Sequence, residues 1–385
     1  ARGPLPESLD LHRPPMTHDR QPDHAGALLT IDLAAICDNW RLLKARLGGA
    51  ECAAVVKADA YGLGAARVAP ALYRAGCRHF FVAHLDEALA LGPALAADAT
   101  RYVLHGPLPG SEAEFAAQGI VPVLNSLPQL AAWRALAQAL DRPLPAVLQV
   151  DTGMARLGLA PQEVDALCAD PDALRGVDLR CVMSHLASAE EPANPVNAQQ
   201  LLRFRAALER LPQTPASLAN SSGIFLGADY HFDLVRPGAA LYGVAPVAGQ
   251  PNPLRPVIRL QGKVVQTRTI EPGTPVGYGH SWTAQRRSRI ATVAVGYADG
   301  FLRSASNRAY VCLNTVKLPL VGKVSMDTIL VDASALGEEA IHEGALLDVI
   351  GPGCGVDELA ARAGTIGYEI LTSLGTRYAR SYIGG

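Results

Sequence analysis

The sequence predicts an α/β protein in two parts: an N-terminal (β/α)8 TIM-type barrel over residues 27–250 and a mostly-β C-terminal domain over 251–385. Three observations carry that prediction. A chain of 385 residues is longer than one hydrophobic core usually organises. From about residue 27, short β-rich runs alternate with Ala/Leu/Arg-rich stretches of helical period. Beyond Pro246 the alternation gives way to closely spaced β-rich runs punctuated by Gly, Pro and Asn.

Taken in order, residues 1–26 are rich in Pro, His and charge with no apolar period, so they cannot repay the entropy of ordering and are expected to form a disordered tail, with Met16 a candidate native start. Eight β-rich runs come next, at 53–56, 80–83, 101–104, 121–124, 146–150, 179–183, 217–219 and 232–235. Between them, stretches such as 86–91, 127–140 and 197–211 space their apolar residues helically. Eight right-handed βα units close into a barrel. In the second domain, strands are expected at 257–266, 289–294, 311–313, 317–321, 328–331 and 345–350.

Composition narrows the function. With 34 basic and 36 acidic residues the formal net charge is −2, so no global field draws the chain to nucleic acid or an anionic membrane, and a small-molecule partner is expected. Seven scattered cysteines with no C-x-x-C fit neither a disulfide framework nor a zinc site, and no metal is expected. No apolar run reaches the roughly 20 residues of a membrane-spanning helix, and the N-terminus carries no signal-peptide pattern, so a cytoplasmic location is expected.

In such a barrel the catalytic groups lie at the C-terminal strand ends. Lys57, in VVKADAYGLG, ends the first apolar run; partial burial there would lower its pKa and free the amine for a Schiff base. Alone it reads more readily as a snorkelling surface lysine. After the fifth run stands Arg156, after the sixth His185, after the seventh the segment Asn-Ser-Ser-Gly at 220–223, and after the eighth Arg-Pro-Gly at 236–238. Each has a bland explanation: a surface or core side chain, a cap, a turn. Together they supply one amine, two cations, an imidazole, and hydroxyl and N–H donors, which suits an aromatic aldehyde bearing a phosphate.

The segments VVKADAYGLGA, VDTGMARLG, SHLASA, ANSSG, VRPGAALYG, VGYADG, VSMD and TIGYE, in this order, resemble the alanine racemase family of pyridoxal 5′-phosphate (PLP) enzymes of fold-type III. The likeness covers about 30–380. It implies that Lys57 carries PLP and acts as one base, and that Tyr297 acts as the second on the opposite face of the substrate. A tyrosine with an ordinary pKa near 10 needs neighbours that favour its phenolate to serve as a base. Tyr61, Ser221, the backbone at Gly238 and Ala239, and Tyr368 match the family's phosphate-binding set. His185 matches the residue beside the pyridine ring, Arg156 the one on its phenolic oxygen and, with Met326 and Asp327, a substrate contact. Arg236 matches the arginine on the pyridine nitrogen, where a guanidinium can only donate and so weakens the ring as an electron sink.

Because Tyr297, Met326 and Asp327 fall in the second domain, the resemblance also implies a homodimer whose sites combine the barrel of one chain with the β domain of the other. Two positions depart from the family pattern. Gln149 stands where many members have a carbamylated lysine, so no carbamate is expected and an amide is left to orient Arg156. Ser217 stands where some members have a histidine. The expected reaction is interconversion of L- and D-alanine, whether for supplying or degrading D-alanine. A racemase of serine or of wider range remains an alternative, because one or two pocket residues change a methyl-sized preference by only about 1–3 kcal/mol. A PLP decarboxylase of the same architecture would be expected to carry an acid in place of Arg236, and a cofactor-carrying binding protein would lack the second domain.

Overall fold

In the computed structural model, which describes residues 23–385, both expected parts form. The expected tail lies outside the described residues as far as residue 22. Seven parallel strands follow chain order through one curled sheet: Ala54–Val55, His79–Val82, Thr100–Val103, Val121–Leu124, Leu144–Gln149, Val177–Met183 and Ala216–Ser217. The eighth, Leu234–Val235, pairs in parallel with Glu51–Cys52. It is also bonded to both ends of the curl: Arg236 N donates to Ala219 O at 2.9 Å, and Val55 N donates to Pro237 O at 2.9 Å. The ring closes, and each run expected from the sequence lies on one of its strands.

Alternate residues of these strands bury on opposite sides. Val55, Phe81, Val123, Val147 and Met183 fill the barrel interior, while Ala54, Phe80, Val82 and Leu148 join the core beneath the helices. Burial on both faces is why the strands read as unbroken apolar runs.

In the β domain the long strand Ile258–Ile270 is the spine, antiparallel to Ser288–Val293 and to Leu346–Ile350. One expectation needs correcting. Ala27–Asp32, placed by sequence at the start of the barrel, instead pairs antiparallel with this spine and parallel with the C-terminal strand Ala379–Ile383. Its residues alternate between buried and half-exposed, the period-2 pattern of a strand with one solvated face. This strand thus belongs to the sheet of the second domain although it precedes the barrel strands in sequence. The helix Leu33–Lys44 makes the return, capped by Asp32, whose carboxylate accepts from Ala35 N at 2.9 Å. Buried Asn39 on that helix donates to Arg255 O and accepts from Arg255 N, fixing the segment that joins the two parts.

Candidate active site at the barrel mouth

Lys57 stands one residue, Val56, beyond the first barrel strand, and the chain after it turns the wrong way for L-residues. Ala58, Asp59, Ala60 and Tyr61 all have φ of 51–56° and ψ of 39–52°, one left-handed turn. Such residues cost roughly 1–2 kcal/mol each, so the surroundings must hold them. At its start, Ala58 N donates to the Glu87 carboxylate at 2.5 Å. In its middle, Asp59 accepts from Ala65 N at 2.7 Å. At its end, Arg380 donates to Gly62 O at 2.7 Å and the Tyr382 hydroxyl to Leu63 O at 3.0 Å, both from the C-terminal strand. Gly62, at φ 81°, lies so close to the helix Gly367–Thr372 that a Cβ would sit 2.5 Å from Leu371 O. The β domain therefore clamps the lysine turn of its own barrel.

Lys57 is half-buried, and its pKa is lowered by burial first and by Arg156 second, with Glu87 opposing. Arg236 is buried and has no carboxylate partner among the described residues. Its guanidinium donates to Ser184 O at 2.6 Å and to the Ser217 hydroxyl, which donates onward to Leu234 O at 2.5 Å. Burial pushes Arg236 down to about 10, which leaves it charged at neutral pH. His185 lies beside it, Nδ1 to Nη2 3.5 Å, and is pushed down to about 3 by burial and then by Arg236, Arg156 and Lys57. It is therefore a neutral imidazole. Gln149 turns to Leu157 O at 3.2 Å, one residue beyond Arg156, so the amide orients the arginine's loop rather than its side chain.

Around the first strand from these groups, Ser221 Oγ accepts from Gly238 N at 2.9 Å and from Ala240 N at 3.1 Å. The Tyr61 ring lies tilted by 33° against buried Tyr242, ring centres 4.7 Å apart, and its hydroxyl is pressed so close to Gly238 that a Cβ there would lie 2.3 Å away. Burial raises the Tyr61 pKa above its usual value, with Tyr368 adding to it, so the phenol stays a donor. Ala239 opens the short turn that carries these amides.

The fit to a phosphate-bearing aldehyde rests on these donors. A buried guanidinium with no acid partner among the described residues, a second arginine and a lysine face a mouth in which Glu87 is the carboxylate acting on Lys57. Such a charge excess suits an anionic group with an aromatic nitrogen to accept from Arg236.

Tyr297, Met326 and Asp327 are held together in the β domain. Tyr297 N donates to Ser325 O at 3.0 Å and Ala298 N to Met326 O at 2.9 Å. Tyr297 is 42 % and Met326 53 % exposed. None of the described hydrogen bonds, ion pairs or ring contacts joins this group to the barrel-mouth residues. Sequence reading missed Glu87, Arg377, and the edge-to-face pair His84 and His105 at 4.5 Å, which end the next two strands. Glu87 had a signal, an acid in the first turn of a helix that starts at a strand end.

Fold and mouth together define a class, a barrel protein whose cations and lysine suit an anionic carbonyl cofactor. Residues 31–246 match the alanine racemase N-terminal domain and residues 257–382 the alanine racemase C-terminal domain. A catabolic alanine racemase of Mesorhizobium japonicum is 56 % identical over 94 % of this chain and 94 % of its own. An alanine racemase of Brucella abortus is 50 % identical, over 96 % of each. The crystal structure of the alanine racemase from Bartonella henselae with covalently bound pyridoxal phosphate superposes with a TM-score of 0.90 at 45 % identity, covering 93 % of this chain and all of that one. The chain belongs to the alanine racemase family.

Proposed function

We propose that this chain interconverts L- and D-alanine with PLP as cofactor, Lys57 and Tyr297 acting as its two bases. The observation that carries this reading is buried Arg236, a cation without a carboxylate partner among the described residues, on the same barrel mouth as a lysine whose pKa is lowered. When bound, PLP supplies a carbonyl for amine exchange and a conjugated ring that delocalises the electrons left by a departing α-proton.

The chain's residues do the rest. Lys57 holds the cofactor's carbonyl end and, once displaced by substrate, moves a proton at its Nζ on one face. Its lowered pKa keeps that amine able to accept. Tyr297 moves the proton at its Oη on the other face, and two bases on opposite faces are what inversion requires. Arg236, which can only donate, holds the ring nitrogen without protonating it and so limits electron withdrawal. His185 stays neutral and adds no further positive charge. Ser221, Tyr61, Tyr368 and the backbone at Gly238 and Ala239 hold the phosphate; Arg156, Met326 and Asp327 meet the phenolic oxygen and the substrate carboxylate.

The exposed Tyr297, Met326, Ile366 and Tyr368 support a homodimer in which the β domain of one copy covers the barrel mouth of the other, setting Tyr297 of one subunit against Lys57 of its partner. The seven free cysteines support a reducing, cytosolic setting. Among the described residues no helix is long and apolar enough to cross a membrane.

The test is incubation with L-alanine in D2O, following optical rotation and deuterium at Cα by NMR. Loss of rotation with Cα deuteration is expected, abolished by Lys57→Ala and strongly reduced by Tyr297→Phe. Deuteration with retained configuration, or release of CO2, would overturn the two-base reading.

A further inference from the structure

Glu87 lies outside the residues assigned above, yet it is the acid bonded closest to Lys57 along the chain. Its side chain comes from the first turn of the helix Leu85–Leu91, which follows the second barrel strand. Oε2 accepts from Ala83 N at 2.8 Å and His84 N at 3.0 Å, the two amides that end its own strand–helix junction. Oε1 reaches across to the neighbouring strand end and accepts from Ala58 N at 2.5 Å. One carboxylate thus staples two adjacent strand ends, and the amide it captures is the first after the lysine. Ala58 is also the first of the four left-handed residues.

We propose that Glu87 is the positioning residue of Lys57: by fixing the amide at which the left-handed turn begins, it sets where the lysine amine points across the barrel mouth. Three acceptor bonds from one carboxylate over-determine its place, which only an ionised acid can do, because an amide would turn an N–H donor toward an N–H donor. The charge has a second effect. Arg156 and burial both disfavour a protonated amine at Lys57, and Glu87 is the group that opposes them. On the same side of the mouth, burial first and then His84, packed against it, Lys57 and Arg156 lower the pKa of His105, with Glu87 opposing.

This inference rests on Lys57 carrying PLP, which borohydride reduction of the wild-type holoenzyme and mass spectrometry of the Lys57 peptide test separately; label on another residue sinks that reading, and this one with it. Given label at Lys57, the holoenzymes of wild type, Glu87→Gln and Glu87→Asp are compared in three ways. These are thermal unfolding, the rate of cofactor release under hydroxylamine, and the pH midpoint of the cofactor's visible absorbance. Glu87→Gln is expected to release PLP at least about 10-fold faster, well below its unfolding temperature, and to move the absorbance midpoint to lower pH. Glu87→Asp, which keeps the charge on a shorter arm, is expected to release faster than wild type with the midpoint nearly in place. A merely structural role would lower the unfolding temperature and leave release and midpoint alone in the folded protein. That result in Glu87→Gln overturns the proposal; should that variant not fold, wild-type release by Glu87→Asp does the same.

Discussion

Arg377 grips Asp299 through two parallel hydrogen bonds, Nε to Oδ1 at 2.6 Å and Nη2 to Oδ2 at 2.8 Å. Asp299 is two residues beyond Tyr297 and its other partner is Gly296 N at 2.8 Å, so the same carboxylate closes the tyrosine's turn. The remaining arm of Arg377 reaches Asp327 at 2.6 Å, beside Met326. One guanidinium therefore sets the tyrosine turn against the proposed substrate-contacting loop.

Replacing Arg377 by Ala should leave the buried Asp299 carboxylate without its ion pair and destabilise the chain by about 1–3 kcal/mol. Tyr297 would lose its fixed position. A fall in kcat on the order of 10- to 100-fold, with KM changed less, is the expected outcome, measured by steady-state racemisation of both enantiomers. Arg377→Lys should recover little, since a lysine cannot bridge Asp299 in two parallel bonds.

The exposure of Tyr297, and the absence among the described contacts of any that joins it to the barrel mouth of its own chain, predict complementation between an inactive and a strongly impaired variant. Lys57→Ala and Tyr297→Phe, mixed and allowed to reassort, would give mixed dimers with one intact composite site and one doubly altered site. Random pairing puts half the dimers in that class, so roughly a quarter of wild-type activity should return. No recovery after proven subunit exchange would place both bases in one chain.

Gly238 is a steric prediction. A methyl there would lie 2.3 Å from the Tyr61 hydroxyl, so Gly238→Ala should push the phenol out and weaken PLP binding by about 10-fold or more. Adding Tyr61→Phe removes the oxygen that clashes. The double variant is expected to bind nearly as well as Tyr61→Phe alone, and fluorescence titration with PLP measures the coupling.

His185 predicts a pH dependence whose sign can be worked out. Its folded pKa of about 3 lies below the unfolded value near 6.5, so the unfolded chain takes a proton first. The stability it contributes is whole above pH 6.5 and is lost as pH falls from there toward 3. The loss reaches up to about 2 kcal/mol by pH 5. Denaturant midpoints at pH 7, 6 and 5, compared between wild type and His185→Gln, should show a shallower fall in the variant.

How each site residue acts explains whether the sequence revealed it. Lys57, Arg156, His185, Ser221 and Arg236 all stand just after apolar runs, and a parallel barrel gathers the residues after its strands at one mouth, so periodicity was enough to bring them together. Glu87 and Arg377 act through hydrogen bonds to groups distant in sequence, Ala58 N for the one and the Asp299 and Asp327 carboxylates for the other, and no periodicity marks the partner of such a bond. The range 27–250 assigns residues 27–32 to the barrel for a related reason. Their alternation fits any half-buried strand, and only the registers with Ile258–Ile270 and Ala379–Ile383 choose their sheet.

The two-part α/β architecture, the order of the barrel strands and the residues at their mouth ends are all written in the chain, because burial on both strand faces and helical spacing are local properties. Three features came only with the folded molecule: the strand Ala27–Asp32 belongs to the sheet of the second domain, Lys57 rides a left-handed turn clamped by Glu87 and the C-terminal strand, and Arg236 is buried without an acid partner among the described residues. Those depend on which distant atoms meet, and a strained turn or a bare cation survives only where the packing around it leaves no alternative.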